Sequence, residues 1–150
     1  MLTPKLHFSR EEFSQRLAKT RTEMQNRGLD LLIVSDPSNM NWLTGYDGWS
    51  FYVHQCAVIS LSGEPIWYGR GQDANGALRT CFMDPANIIG YPDHYVQSTE
   101  RHPMDYLSAQ LNDRGLGKGV IGVEMDNYWF SAAAFTSLQR HLPNAQLSDA

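Results

Sequence analysis

Apolar and polar positions fall into blocks along this chain, and each block has its own period. Phe13, Leu17, Thr20 and Met24 recur at helical spacing with Arg and Glu residues between them. Ser9 stands ahead of this run with Glu12 three residues later, a capping-box arrangement, and Phe8 and Phe13 occupy the positions of a hydrophobic staple. Gly28 is placed to end the helix in a left-handed conformation. Leu29 to Val34 is a short apolar run that reads as a buried strand, so the chain opens as an α/β protein.

Further along, Cys56-Ala57-Val58-Ile59-Ser60-Leu61 and Pro65-Ile66-Trp67-Tyr68 flank Ser62-Gly63-Glu64, the pattern of a β-hairpin with a tight glycine turn. Gln72 to Met83 reads as a helix with Ala74, Ala77, Leu78, Cys81 and Phe82 on one face, and Asn87 to Tyr91 as a strand stopped at Pro92. Pro103 suits the first turn of a helix carrying Met104, Leu107 and Leu111. Gly115, Gly117 and Gly119 break it before the strand Val120 to Val123. Phe135, Leu138 and Leu142 mark a last helix ended by Pro143, and Ala145 to Leu147 an edge strand. The pattern predicts an α/β fold: a mixed sheet of about five to six strands flanked by helices, with one antiparallel hairpin inside it. The 150 residues suffice for one domain with its own core.

Between the first strand and the hairpin lies a segment of another character, Asp36 to Gln55. It gathers large aromatics, glycines, asparagines and His54. A plain connection would be shorter and would not concentrate stacking surface in this way. Aromatic faces beside a few polar donors are what a pocket for a small polar or cationic ligand, or a protein contact, needs. The segment holds no evident nucleophile–base pair and no close-spaced metal-ligand set, so it reads as part of a site whose chemistry lies elsewhere.

Charge and composition narrow the options. A net charge of −4 leaves no basic stripe for nucleic acid. No apolar run approaches the ~20 residues of a membrane-spanning helix, and the first residues lack a signal-peptide pattern. A cytoplasmic location is the expectation. Cys56 and Cys81 lie in apolar contexts and read as reduced, packed thiols.

His7, His54, His94, His102 and His141 form no short metal-ligand pair, so no metal site is expected within the chain. His54 either hydrogen-bonds a ligand or is a strand-edge residue. Gly69-Arg70-Gly71-Gln72-Asp73-Ala74-Asn75-Gly76 lacks the spacing of a phosphate loop and reads as a strand-to-helix turn, with Asp73 favouring the helix dipole. Arg70 either clamps a carboxylate or holds the turn by a salt bridge. Glu124 and Asp126 follow a strand, where α/β folds place functional groups, but without a partner they read as solvated or capping carboxylates.

Asp36-Pro37-Ser38-Asn39-Met40-Asn41-Trp42-Leu43-Thr44-Gly45-Tyr46 resembles the Asn-x-x-(aromatic)-Leu-(Ser/Thr)-Gly-(aromatic) signature of creatinase/prolidase N-terminal domains. The order of elements around it also matches, and the resemblance covers essentially all 150 residues. Gly48 to Gln55 looks most like the ectoine hydrolase branch, with Xaa-Pro peptidases further away. The resemblance implies a ribonuclease H-like architecture for residues 1–150 and a catalytic pita-bread domain absent from this chain. It implies a homodimer in which this non-catalytic domain lines the partner's pocket, acting on a small-molecule substrate without nucleic acid or membrane.

No cofactor is expected in this chain, and a divalent metal, used by the peptidase branch but not by creatinase, would belong to the catalytic domain. The substrate-side residues implied are Trp49, Phe51, Tyr52 and His54, with Arg70 behind them. Creatinase-type enzymes place an arginine two residues after the aromatic matched by Phe51; Val53 stands there instead, so His54, Gln55 or Arg70 would supply the donor. The alternatives are the same domain of a metal-dependent Xaa-Pro aminopeptidase or dipeptidase, or a stand-alone binding module.

Overall fold

The computed structural model describes residues 3–150. Helix α1 (Arg10–Asn26) starts where Ser9 Oγ accepts the Glu12 N–H at 3.1 Å. Only this half of the expected box is made, because the Glu12 carboxylate turns instead to Arg16 Nε at 3.0 Å. The staple forms: the Phe8 and Phe13 rings meet edge to face at 6.2 Å. Strand β1 (Leu31–Val34) follows the left-handed Gly28.

Inside the aromatic segment the chain forms an additional helix, α2 (Pro37–Thr44), which the hydrophobic pattern does not reveal. Asp36 caps it by accepting the N–H groups of Ser38 and Asn39, and Pro37 occupies the first turn. The hairpin is β2 (Cys56–Ser60) and β3 (Ile66–Arg70). Helix α3 (Ala74–Thr80) is shorter than the sequence suggests, since Gly71–Asp73 form a 3₁₀ turn and Cys81 is already extended. Strand β4 (Ile88–Tyr91), helix α4 (Pro103–Asp113), strand β5 (Lys118–Val123), helix α5 (Ala132–His141) and strand β6 (Asn144–Asp149) complete the chain.

The six strands form one mixed sheet in the order β4-β3-β2-β1-β5-β6. Strand β2 runs antiparallel to both β1 and β3; the pairs β1·β5, β3·β4 and β5·β6 are parallel. Alternation along the strands splits the core into two. Leu31, Ile33, Cys56, Val58, Tyr68, Ile121 and Val123 face α4 and α5 through Met104, Leu107, Leu111 and Leu138. Val34, Ala57, Ile59 and Trp67 face α1, α2 and α3 through Phe13, Leu17, Met40, Leu43 and Ala77. Both cysteines are free and buried.

Register fixes where function can gather. Val34 pairs with Ala57, Ile33 with Val123, Arg70 with Tyr91, and Val123 with Asp149. The carboxyl ends of five strands and the start of β2 therefore share one end of the sheet. Residues 35–55, 92–102 and 124–131 all emerge there, the crevice end at which α/β sheets commonly bind ligands.

Candidate functional site

The signature, residues 39–46, ends in a joint formed by residues 41–46. Asn41 Nδ2 donates to the Tyr46 carbonyl at 3.0 Å. Thr44 Oγ1 donates to Met40 O at 2.7 Å and accepts the Tyr46 N–H at 3.1 Å. Gly45 closes α2 at φ +80°, and a Cβ there would stand 2.8 Å from the Thr80 carbonyl oxygen and 3.1 Å from Phe13 Cζ. Tyr46 packs on Trp67 with 5.1 Å between ring centres, and its hydroxyl meets Ser50 Oγ at 2.7 Å. Burial pushes that phenol up to about 12, so it stays protonated as a structural hydrogen-bonding group.

Glu124 anchors the joint from the end of β5. Its carboxylate accepts the N–H groups of Ser35 at 2.5 Å and Asp36 at 2.7 Å, and the Asn39 side-chain amide at 2.6 Å. Of the two roles expected, solvated or capping, the structure shows a carboxylate that binds backbone N–H groups. It is directed at the β1–α2 turn, 88 and 89 residues away in sequence.

Beyond the joint, Ser50–Tyr52 form a 3₁₀ turn that throws its rings outward. Trp49 is 82% exposed, Tyr52 64% and Phe51 36%, with Trp49 and Phe51 tilted together at 5.1 Å. These rings make a shelf over the sheet end. His54 turns back toward the protein. The Tyr91 hydroxyl donates to its carbonyl at 2.8 Å, and its ring lies 4.4 Å from that of His102, the cap residue of α4. Burial, then the neighbouring His102, holds His54 down at about 4, so both rings are neutral at pH 7. His54 and Tyr52 border a cavity of about 190 Å³ shared with Tyr91, Tyr95, Arg101 and His102.

The other two candidate donors lie apart from it. Arg70 grips the Asp93 carboxylate with Nε and one terminal nitrogen at 2.9 and 3.1 Å, so the salt-bridge alternative describes its present geometry. The Tyr52 hydroxyl lies beside the same guanidinium. Gln55 is 2% exposed, and both its amide atoms are buried without partners among the described residues, as is one carboxylate oxygen of Asp73. Asp73 makes no side-chain cap to α3.

Burial pushes both thiols up, Cys81 to about 12, leaving no nucleophile there at neutral pH. Among the described residues no group of three or more His, Cys, Asp or Glu side chains gathers to hold a metal, and no helix is long and apolar enough to cross a membrane.

Sequence reasoning missed His102, Tyr91, Arg101 and Asp93 as neighbours of the shelf. His102 before Pro103 carries the signal of a helix start. Its approach to His54, however, depends on β4 lying beside β3, which no local pattern encodes.

Comparison with known proteins follows the same lines. Residues 16–150 match the family described as the creatinase/prolidase N-terminal domain. The chain is 64% identical over 151 residues to the ectoine hydrolase of Halomonas elongata and covers 38% of that protein's length. It is 39% identical over 146 residues to an uncharacterized hydrolase/peptidase of Sinorhizobium fredii, covering 97% of this chain and 37% of that protein. A proline dipeptidase structure from Streptococcus agalactiae superposes with a TM-score of 0.71 at 18% identity, covering 91% of this chain and 93% of that one. That likeness is one of fold. The family match across nearly the whole chain and the high identity to a curated hydrolase together place it: the chain belongs to the creatinase/prolidase N-terminal domain family.

Proposed function

We propose that this chain is the N-terminal, non-catalytic part of an ectoine hydrolase-like enzyme that cleaves a C–N bond in ectoine or a related small amidine or amide. The observation that carries the reading is the 64% identity to the Halomonas elongata ectoine hydrolase along the entire chain. The chain spans 38% of that relative's length, so the reacting groups and any metal are assigned to the remainder of the full-length protein.

The role proposed for this domain is dimerisation and completion of the partner subunit's pocket, in the cytoplasm. Trp49, Phe51, Tyr52 and His54 are the proposed substrate-side residues, with Arg70 behind them. The outward aromatic shelf supports this: three large rings exposed on a rigid joint offer faces to a delocalised cation and area to a second subunit. Binding energy supplied from such a remote surface positions a substrate for chemistry performed by another domain.

The test is turnover by the full-length protein on ectoine and on an Xaa-Pro dipeptide, each with and without added divalent metal. Ectoine turnover is expected. Metal-dependent peptide cleavage without ectoine turnover would overturn the reading in favour of the peptidase branch.

A further inference from the structure

We propose that the apolar groove between α1, α2 and β1 receives the polypeptide that follows Ala150 in the full-length protein. The groove has a volume of about 300 Å³, with Met24 from α1, Leu29, Leu32 and Val34 around β1, and Trp42 and Leu43 from α2 along its walls. Met24, Leu29, Val34 and Leu43 are buried, but Trp42 keeps 42% of its surface exposed. That indole is held in place: the Arg16 guanidinium lies 5.4 Å from its ring centre and donates to the Trp42 carbonyl at 3.1 Å. The lip is polar, with Glu23 and Arg27 paired at 2.8 Å. An apolar recess, a fixed and exposed indole, and a polar rim are the parts of a docking site.

The two faces of β5 and β6 are unequally covered. Ile121, Val123, Ala145 and Leu147 pack under α4 and α5. On the face that the groove shares, Val120 is half-buried and its partner on β6, Gln146, is exposed. Gly122 lies between them. A Cβ there would stand 2.8 Å from Leu29 Cδ1 and 2.9 Å from Ala150 Cβ, so those two side chains close over β5. Ala150 therefore stands on the groove's own side and lines it, while its N–H donates to the Val123 carbonyl at 3.0 Å. The next peptide unit leaves at the mouth of the groove.

Three occupants compete, and tethering separates them. The chain covers 38% of the Halomonas elongata ectoine hydrolase and 37% of the Sinorhizobium fredii relative, both of which are longer. A tether of a few residues holds a following segment at an effective concentration in the mM range, so roughly one recess of apolar contact suffices. A separate protein needs about 1,000 Å² or more of buried surface, which this recess does not supply. A second copy related by a two-fold axis would set recess against recess. The following segment is the occupant that remains, with apolar side chains where it crosses Trp42 and Leu32.

This inference rests on one part of the proposed function, that the full-length protein continues past Ala150, and not on its substrate. Ectoine turnover can fail while the groove is covered, or succeed while it stays open, so the two failures are distinguishable. Thr20→Cys and Arg27→Cys place thiols on the groove, and Gln139→Cys places one on exposed α5 across the sheet. Maleimide modification of each is timed by peptide mass spectrometry in the 150-residue chain and in the full-length protein, with circular dichroism checking each fold. The groove thiols should react at least about tenfold more slowly in the full-length protein, as a predominantly docked state requires, with position 139 unchanged. Hydroxyl-radical oxidation of Trp42, which needs no substitution, should fall in parallel. The slowing should persist across a roughly hundredfold dilution, since an intramolecular contact does not respond to concentration. Equal rates in the two proteins, equal slowing at position 139, or protection lost on dilution, the mark of a second copy, would overturn the proposal.

Discussion

Replacing Glu124 with alanine should detach the β1–α2 turn from the sheet. The carboxylate accepts two backbone N–H groups, from buried Ser35 at 2.5 Å and from Asp36 at 2.7 Å, together with the Asn39 amide at 2.6 Å. Hydrogen bonds to a charged group contribute about 1.5–3 kcal/mol each, and a buried donor left unmade costs about 1–3 kcal/mol. The three bonds share one acceptor and are not additive, and the Asn39 amide recovers solvent. A total loss of about 3 kcal/mol follows, most of it from the two backbone groups. For a chain of this size that corresponds to a fall in Tm of roughly 6–12 °C. Urea denaturation of Glu124→Ala beside the parent chain, followed by tryptophan fluorescence and by circular dichroism, measures it. A loss below about 1 kcal/mol with an unchanged m-value would refute the idea that this carboxylate holds the joint.

Gly45→Ala should cost upwards of about 2 kcal/mol, from the left-handed backbone and the approach to the Thr80 carbonyl, and is read in the same denaturation assay. Trp49→Ala should change the stability of the isolated chain by no more than about 0.5 kcal/mol, since the ring is exposed; in the full-length enzyme, Phe51→Ala and His54→Ala should lower kcat/KM about tenfold or more while circular dichroism stays unchanged. His54 has a folded pKa of about 4, below its unfolded value of about 6.5. Between those values the unfolded chain takes up a proton that the folded chain refuses, so stability is full above pH 6.5 and falls toward pH 4, by up to about 1.4 kcal/mol per unit. Denaturation at pH 7.5, 6 and 5 should show this slope, and His54→Gln should flatten it.

The elements whose stabilising contacts are local were legible in the sequence. Helix α1 is announced by Ser9 and by the Phe8–Phe13 contact, and α4 by Pro103, because caps and staples act within a few residues. Helix α2 escaped because eight residues span little more than two turns, too few for a period to show through an aromatic-rich composition. Its start signal, Asp36 before Pro37, was nevertheless present. The aromatic content of the shelf was legible; that the rings at 49, 51 and 52 stand exposed is what the structure adds. The cavity beneath was not, since His54 and His102 meet only when β3 and β4 pair in parallel, and that pairing is a property of the whole sheet. Glu124 was legible as a solvated or capping carboxylate but not as the anchor of a turn on a neighbouring strand, for the same reason.

The joint at residues 41–46 separates bearing from identity. Its bonds run among Asn41, Thr44, Gly45 and Tyr46, and the rings at 49, 51 and 52 contribute none of them. Side chains at those three sites can therefore be exchanged while the bracket that aims them stays put. On the role proposed for these rings, a library randomised only there would sample different contact surfaces on an unaltered chassis.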